Sequence, residues 1–143
     1  MDIEIMALCD AATDSAGKLN ILGAFDSIVV SSVPAVHPQC TVALRLRVWR
    51  QEEGKHHLSI NIVDEDGKPV VPTLNAEVNI GFGGKESSVT ANMVMNLQRL
   101  RLVQAGEYSI DVAIDGKHEK SIPLSVKLRP GANPPNANAS SAN

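Results

Sequence analysis

Val42, Leu44, Leu46 and Val48 take one set of alternate positions between Cys40 and Arg50, while Thr41, Ala43, Arg45, Arg47 and Trp49 take the other. Successive side chains of a strand point to opposite faces, so this segment reads as a half-buried strand; a helix would space its apolar residues three and four apart. The same period of two runs through Leu58, Ile60 and Ile62, through Ile110, Val112 and Ile114, and through Ile122, Leu124, Val126 and Leu128. At the amino terminus it puts Ile3, Ile5, Ala7 and Cys9 on one face of a first strand, with Met6 and Leu8 on the other. A polar turn from Thr13 to Gly17 leads to a second strand with Leu19, Ile21, Gly23 and Phe25 on one face. Ile28 and Val30 are expected to extend that strand past an irregularity, and Gly23 marks a bulge or a close backbone approach. Pro34 and Pro38 punctuate the next connection, and the segment from Val70 to Phe82 is less regular. Alternation returns at Val89, Ala91, Met93 and Met95. A helix competes for residues 92–102, where Met, Leu, Gln and Arg are good helix formers, but the alternation favours a strand.

Turn chemistry agrees with this reading. Asp66-Gly67 supplies a tight turn after the Leu58–Ile62 run, and Asp115-Gly116, between two alternating runs, is the strongest hairpin signal, because such pairs tolerate positive φ. Leu102-x-x-x-Gly106-x-Tyr108 enters a strand as a tyrosine corner does, with the hydroxyl expected to bond backbone upstream. Seven to nine short strands with regular turns predict an all-β fold, an antiparallel β-sandwich of immunoglobulin-like, Greek-key type. Residues 1–129 form that domain. Residues 130–143, rich in Pro, Asn, Ala and Ser, are expected to be a disordered tail, since they hold too little apolar surface to offset ordering entropy.

Composition narrows the chemistry. The 143 residues are 43% hydrophobic with 15 Val and 10 Ile, which supports a strand-rich core. A net charge of −3 gives no basis for general nucleic-acid binding, which depends on neutralising phosphates. Only Phe25, Trp49, Phe82 and Tyr108 are aromatic, too few for a platform that stacks bases or sugars. No stretch approaches the roughly 18 apolar residues that cross a bilayer. The first residues lack the basic start and apolar run of a secretory signal, so a cytoplasmic protein is expected. Cys9 and Cys40 then read as small buried hydrophobes rather than a redox pair.

Two segments carry a resemblance. Leu8-Cys9-Asp10, Gly17-Lys18-Leu19-Asn20-Ile21 and Gly23-x-Phe25-Asp26, with the closing run from Gly106 to Val126, resemble a family of small bacterial proteins known only as a domain of unknown function. The resemblance spans most of residues 1–129. It implies a bacterial origin and an all-β domain, with no activity and no binding residues.

Candidate chemistry is sparse. Asp10 and Asp26 can ligate a metal or a substrate amine, or else bond backbone amides at turns, which aspartate often does. Lys18 reads as a solvated hairpin charge or a partner of one of these aspartates. Of His37, His56, His57 and His118, the adjacent pair would point to opposite strand faces, and nothing in the spacing assembles three metal ligands. Asp64-Glu65-Asp66-Gly67 loosely resembles a calcium loop but lacks the third acidic position and the bidentate glutamate, so a turn is expected. Gly81-x-Gly83-Gly84 leads into another strand rather than a helix, so it reads as a loop or edge bulge rather than a phosphate cradle. No Gly-x-Ser-x-Gly elbow is present, and neither cysteine has a histidine placed beside it in sequence.

Arg45, Arg47 and Trp49 remain, at i, i+2 and i+4 on one strand face. Such a row can pair with carboxylates of neighbouring strands, grip an anionic or aromatic ligand, or anchor a protein partner, since Trp and Arg are enriched at binding hot spots. The preferred expectation is a non-enzymatic interaction or assembly module, binding a protein partner or itself through Arg45, Arg47 and Trp49, with no cofactor or metal. The alternative is a small-ligand-binding domain or enzyme whose site assembles Asp10, Asp26 and the histidines.

Overall fold

The computed structural model describes residues 1–131. Among the described residues there are nine strands: β1 (Asp2–Ser15), β2 (Lys18–Ala24), β3 (Ser27–Val30), β4 (Ala35–Trp49), β5 (Gly54–Val63), β6 (Leu74–Ile80), β7 (Ser88–Leu102), β8 (Gly106–Ile114) and β9 (Lys117–Leu128). They form two sheets, one in the order β2-β1-β4-β7 and one in the order β3-β9-β8-β5-β6. All pairings are antiparallel except the parallel pair of β3 and β9. The domain is an all-β sandwich. The expected disordered tail lies, from residue 132 onward, outside the described residues.

The core obeys the alternation. Val42, Leu44, Leu46 and Val48 of β4 are fully buried, as are Leu58, Ile60 and Ile62 of β5 and Ile110 and Val112 of β8. Fully burying such a side chain contributes roughly 1.5–3 kcal/mol, so these inward rows are the main term holding the two sheets together. Residues 92–102 are strand, paired with β4 along its length. Asp115 (φ 52) and Gly116 (φ 81) make the expected tight turn. The Tyr108 hydroxyl donates to the Gln104 carbonyl at 2.6 Å, so the tyrosine corner is formed.

Three expectations are corrected. In β1 the register shifts between Ile3 and Ile5, with Ile3 opposite Leu46, Ile5 opposite Arg45 and Met6 opposite Leu44. This bulge at Glu4 sends Ile3 to the core side with Met6 and Leu8, and leaves Ile5, Ala7 and Cys9 on the other face. Ile28 and Val30 do not extend β2. Phe25 and Asp26 carry the chain to the other sheet, where β3 pairs with β9, fixed by Phe25 N–H donating to the Leu8 carbonyl (2.9 Å) and Ser125 N–H to the Asp26 carbonyl (2.8 Å). Pro38 does not end a connection but lies inside β4, which begins at Ala35.

The β1–β2 hairpin adds a partial outer layer to the first sheet and positions the site. β1 pairs with β4 only as far as Cys9, and from Ala11 to Ser15 it pairs with β2 instead. The tip of this β1–β2 hairpin returns to β4 and β7: Arg45 Nη1 donates to the Gly17 carbonyl at 3.2 Å, and Asn92 Nδ2 to Asp14 Oδ2 at 2.9 Å. An extended continuation of β1 would carry Gly17 away from Arg45 at over 3 Å per residue, so the hairpin folds back as a strap across the outer face. Cys9, Thr41 and Ala43, outward by alternation, are accordingly fully buried.

Candidate interaction surface

Arg45, Arg47 and Trp49 share the outer face of β4, and the bulge at Glu4 sets a carboxylate beside the two arginines. Glu4 accepts from Arg47 Nε at 2.8 Å and lies 3.5 Å from Arg45 Nε. Arg47 Nη1 also donates to Ser88 Oγ at 3.1 Å, and Arg45 Nη1 to Asn92 Oδ1 at 2.9 Å. The row thus divides. Arg45 is committed to the strap, whereas Arg47 is half-buried and Trp49 is 41% exposed at the open end.

The turn after Trp49 fixes its backbone. The chain leaves β4 in a single 3-10 turn, Arg50–Glu52, and Trp49 N–H donates to Glu52 Oε1 at 3.0 Å. Arg50 reaches the Gly81–Gly84 loop, donating to the Gly84 carbonyl at 2.6 Å and lying 4.8 Å from the centre of the Phe82 ring. That glycine segment is a loop before β7, as expected. Arg47, Trp49 and Arg50 therefore sit at one end of the sandwich, two of them with their guanidinium groups already oriented.

The alternative constellation is brought together only in part. Asp10 and His37 line one depression of about 430 Å³ beside Phe25, whose ring centre lies 5.7 Å from that of His37. Asp26 lines a separate depression of about 410 Å³, also bordered by Phe25, with Met6, Ile122 and Pro123. The turn-capping role considered for Asp10 and Asp26 belongs to Asp14 and Asp64, which accept from Gly17 N–H and from the Asp66 and Lys68 N–H groups. Lys18 makes no ion pair among the described residues.

The remaining histidines lie elsewhere. His56 and His57 point to opposite sides of β5. His56 is held at both ring nitrogens: Nδ1 lies 2.7 Å from Asp115 Oδ2, and Nε2 faces the Glu52 carbonyl. Two acceptors on the two ring nitrogens favour the imidazolium, and the Glu52 carbonyl first and Asp115 second hold its pKa above the ordinary histidine value against opposing burial. Asp115 is held low, by the His57 N–H and then by the His56 ring. His118 Nε2 lies 2.7 Å from Ser121 Oγ, which itself donates to Asp111. The serine there gives its proton to the carboxylate and, among the described residues, the histidine has no carboxylate behind it, which inverts the order a nucleophilic triad needs. No group of three or more His, Cys, Asp or Glu side chains able to hold a metal occurs among the described residues.

Both cysteines are free and fully buried. Burial, then Cys9 and Asp10, pushes the Cys40 thiol up to about 11, and burial with Asp10 raises Cys9. Both therefore stay protonated and unreactive at neutral pH.

Glu4, Asn92 and Asp115 escape a reading of the sequence. Each acts on a residue more than 40 positions away, and the only local sign is Glu4 interrupting the apolar alternation of β1.

Residues 4–127 match the model of a family described as "Family of unknown function (DUF6941)". No curated protein matches the chain. Among solved structures, the chain is similar to an alkylpurine DNA glycosylase, AlkC, of Pseudomonas fluorescens bound to DNA containing an abasic site analog. The two are 9% identical at a TM-score of 0.48, over 88% of this chain and 30% of that one. It is also similar to a beta-glucuronidase from glycoside hydrolase family 2, 17% identical at a TM-score of 0.33, over 67% of this chain and 11% of that one. No helix of the described residues is long and apolar enough to cross a membrane.

Proposed function

The chain belongs to DUF6941, and within that family of unknown function we propose that it is a non-enzymatic interaction module that docks a protein partner at the Trp49 end of the first sheet. One observation carries this reading: the lone tryptophan is 41% exposed beside Arg47, whose guanidinium is already fixed by Glu4 and Ser88. A pre-oriented arginine loses less conformational entropy on binding, and Trp with Arg is the pair most enriched where binding energy concentrates. Arg50, stacked on Phe82, supplies a second oriented cation at the rim. Arg45 contributes indirectly, by holding the strap. A cytoplasmic setting fits two buried thiols that form no disulfide.

The test is quantitative co-purification with the wild type, with Trp49→Ala and with Leu22→Ala, which removes another exposed apolar residue, on the strap. Each variant is first confirmed folded by its thermal melt. The same protein recovered with wild type and Leu22→Ala and depleted at least about tenfold with Trp49→Ala, a loss of roughly 1.4 kcal/mol, supports the surface. Equal recovery with all three overturns it.

A further inference from the structure

The first sheet ends in β7, a strand of 15 residues with β4 on one side and, among the described residues, no strand on the other. An edge of that length presents a row of unpaired N–H and C=O groups, and proteins ordinarily blunt such edges with charge, proline, shortness or a kink. The other three edges carry these devices. β3 has four residues, β2 is bent at Gly23 (φ 68) and carries Lys18, and β6 has seven residues with Glu77 paired to Lys55. By contrast, Ser88 to Gln98 holds no charged residue and no proline. The first distortion is Arg99 (φ 56), opposite Pro38 in β4.

The core side of this edge is also unfinished. Val89, Ala91, Met93 and Met95 pack toward the core yet stay only partly buried, and β6, at the edge of the opposing sheet, is half as long as β7.

We propose that β7 pairs antiparallel with β7 of a second copy of this chain about a two-fold axis, joining the two four-stranded sheets into one of eight strands. A two-fold axis makes the edge its own partner, which a charged segment resists and this neutral one permits. With the axis at Asn92, Met93 faces Ala91 and Met95 faces Val89 on the core side, each a large side chain against a smaller one. On the outer side Val94 faces Thr90 and Asn96 faces Ser88. That register puts apolar against apolar inside and leaves no like charges opposed. The inference rests on the free edge of β7 and not on the Trp49 surface, which adjoins the start of that strand, with Trp49 opposite Ser88 and Arg47 opposite Thr90.

Light scattering over a dilution series, with amide exchange on β7, tests it for the full chain. The wild type should weigh as a dimer that dissociates on dilution, with β7 amides exchanging faster as it does. Thr90→Lys, which adds a charge to the exposed edge, should stay folded by thermal melt and weigh as a monomer, while Trp49→Ala should keep the dimer mass. A wild-type monomer at every concentration overturns the proposal. So does a dimer that Thr90→Lys leaves intact with β7 amides unprotected, and so does protection of β7 that appears only when a different protein is added.

Discussion

Asp10 fills the space that a side chain on Gly23 would need: a Cβ there would stand 2.5 Å from Asp10 Oδ2. The two residues face each other between the Cys9–Ala24 and Ala11–Leu22 pairs, where the strap turns back over the sheet. Gly23 also has φ 68, which costs other residues roughly 1–2 kcal/mol. Gly23→Ala should therefore lower the urea-unfolding free energy by at least that amount. Adding Asp10→Ala should recover the steric share and leave the backbone share. A single variant as stable as wild type would refute the account.

The strap should open before the sandwich does. Arg45 and Asn92 hold its tip by four hydrogen bonds involving Gly17, Asp14 and each other. Arg45→Met keeps the aliphatic stem and removes the donors. Amide exchange from Ala11 to Ala24 should rise on the order of tenfold, about one exposed hydrogen bond's worth, with little change at β5 and β8. A uniform rise across the domain would contradict a locally latched strap.

Tyr108→Phe isolates the corner bond to Gln104. The ring stays packed and one hydrogen bond of 2.6 Å is lost, so urea denaturation should report about 1 kcal/mol of destabilisation with an unchanged slope. No measurable loss would mean that the hydroxyl is equally well served by water.

The His56–Asp115 pair makes stability depend on pH. His56 has a raised folded pKa, so its contribution is complete below the unfolded value of about 6.5 and is lost as pH rises through the folded value. Asp115 has a lowered folded pKa, so its contribution is present above about 3.9 and is lost as pH falls through the folded value. Both operate together between roughly pH 4 and 6.5. With Asp115 half exposed, the pair is worth at most about 1 kcal/mol. The stability difference between wild type and His56→Gln should be largest near about pH 5.5 and shrink toward about pH 8. A difference constant across that range would exclude titration of His56 as its source.

A thiol reagent should label neither cysteine in the native protein and both in urea. Cys9 and Cys40 have no exposed surface and raised pKa values. Rapid labelling under native conditions would show that the cover over Cys9 is routinely open.

What the sequence makes legible is what alternation can encode. The inward rows of β4, β5 and β8 and the turn at Asp115-Gly116 depend on neighbours two to ten residues apart, and both are readable. The shift at Glu4 is hidden because Ile3 and Ile5 are equally apolar, so a slip of one residue leaves the pattern looking continuous. The passage from β2 to β3 is hidden for a similar reason, since Ile28 and Val30 fit either sheet. At the candidate surface, alternation correctly places Arg45, Arg47 and Trp49 on one face. That Arg45 is occupied depends on Gly17, 28 residues earlier, and on a fold-back with no periodic signature.

Because the strap lies over β4, Ala43 has an interior on both sides of the sheet. Alternation assigns it to solvent, and a survey of tolerated substitutions guided by that pattern would accept lysine or glutamate there. With no accessible surface, the position instead admits only small residues, so a chain that varied freely at Arg47 would still be held to alanine or glycine at 43. Sequence drift across relatives would therefore trace the strap's footprint as a patch of small residues on the outer face of β4.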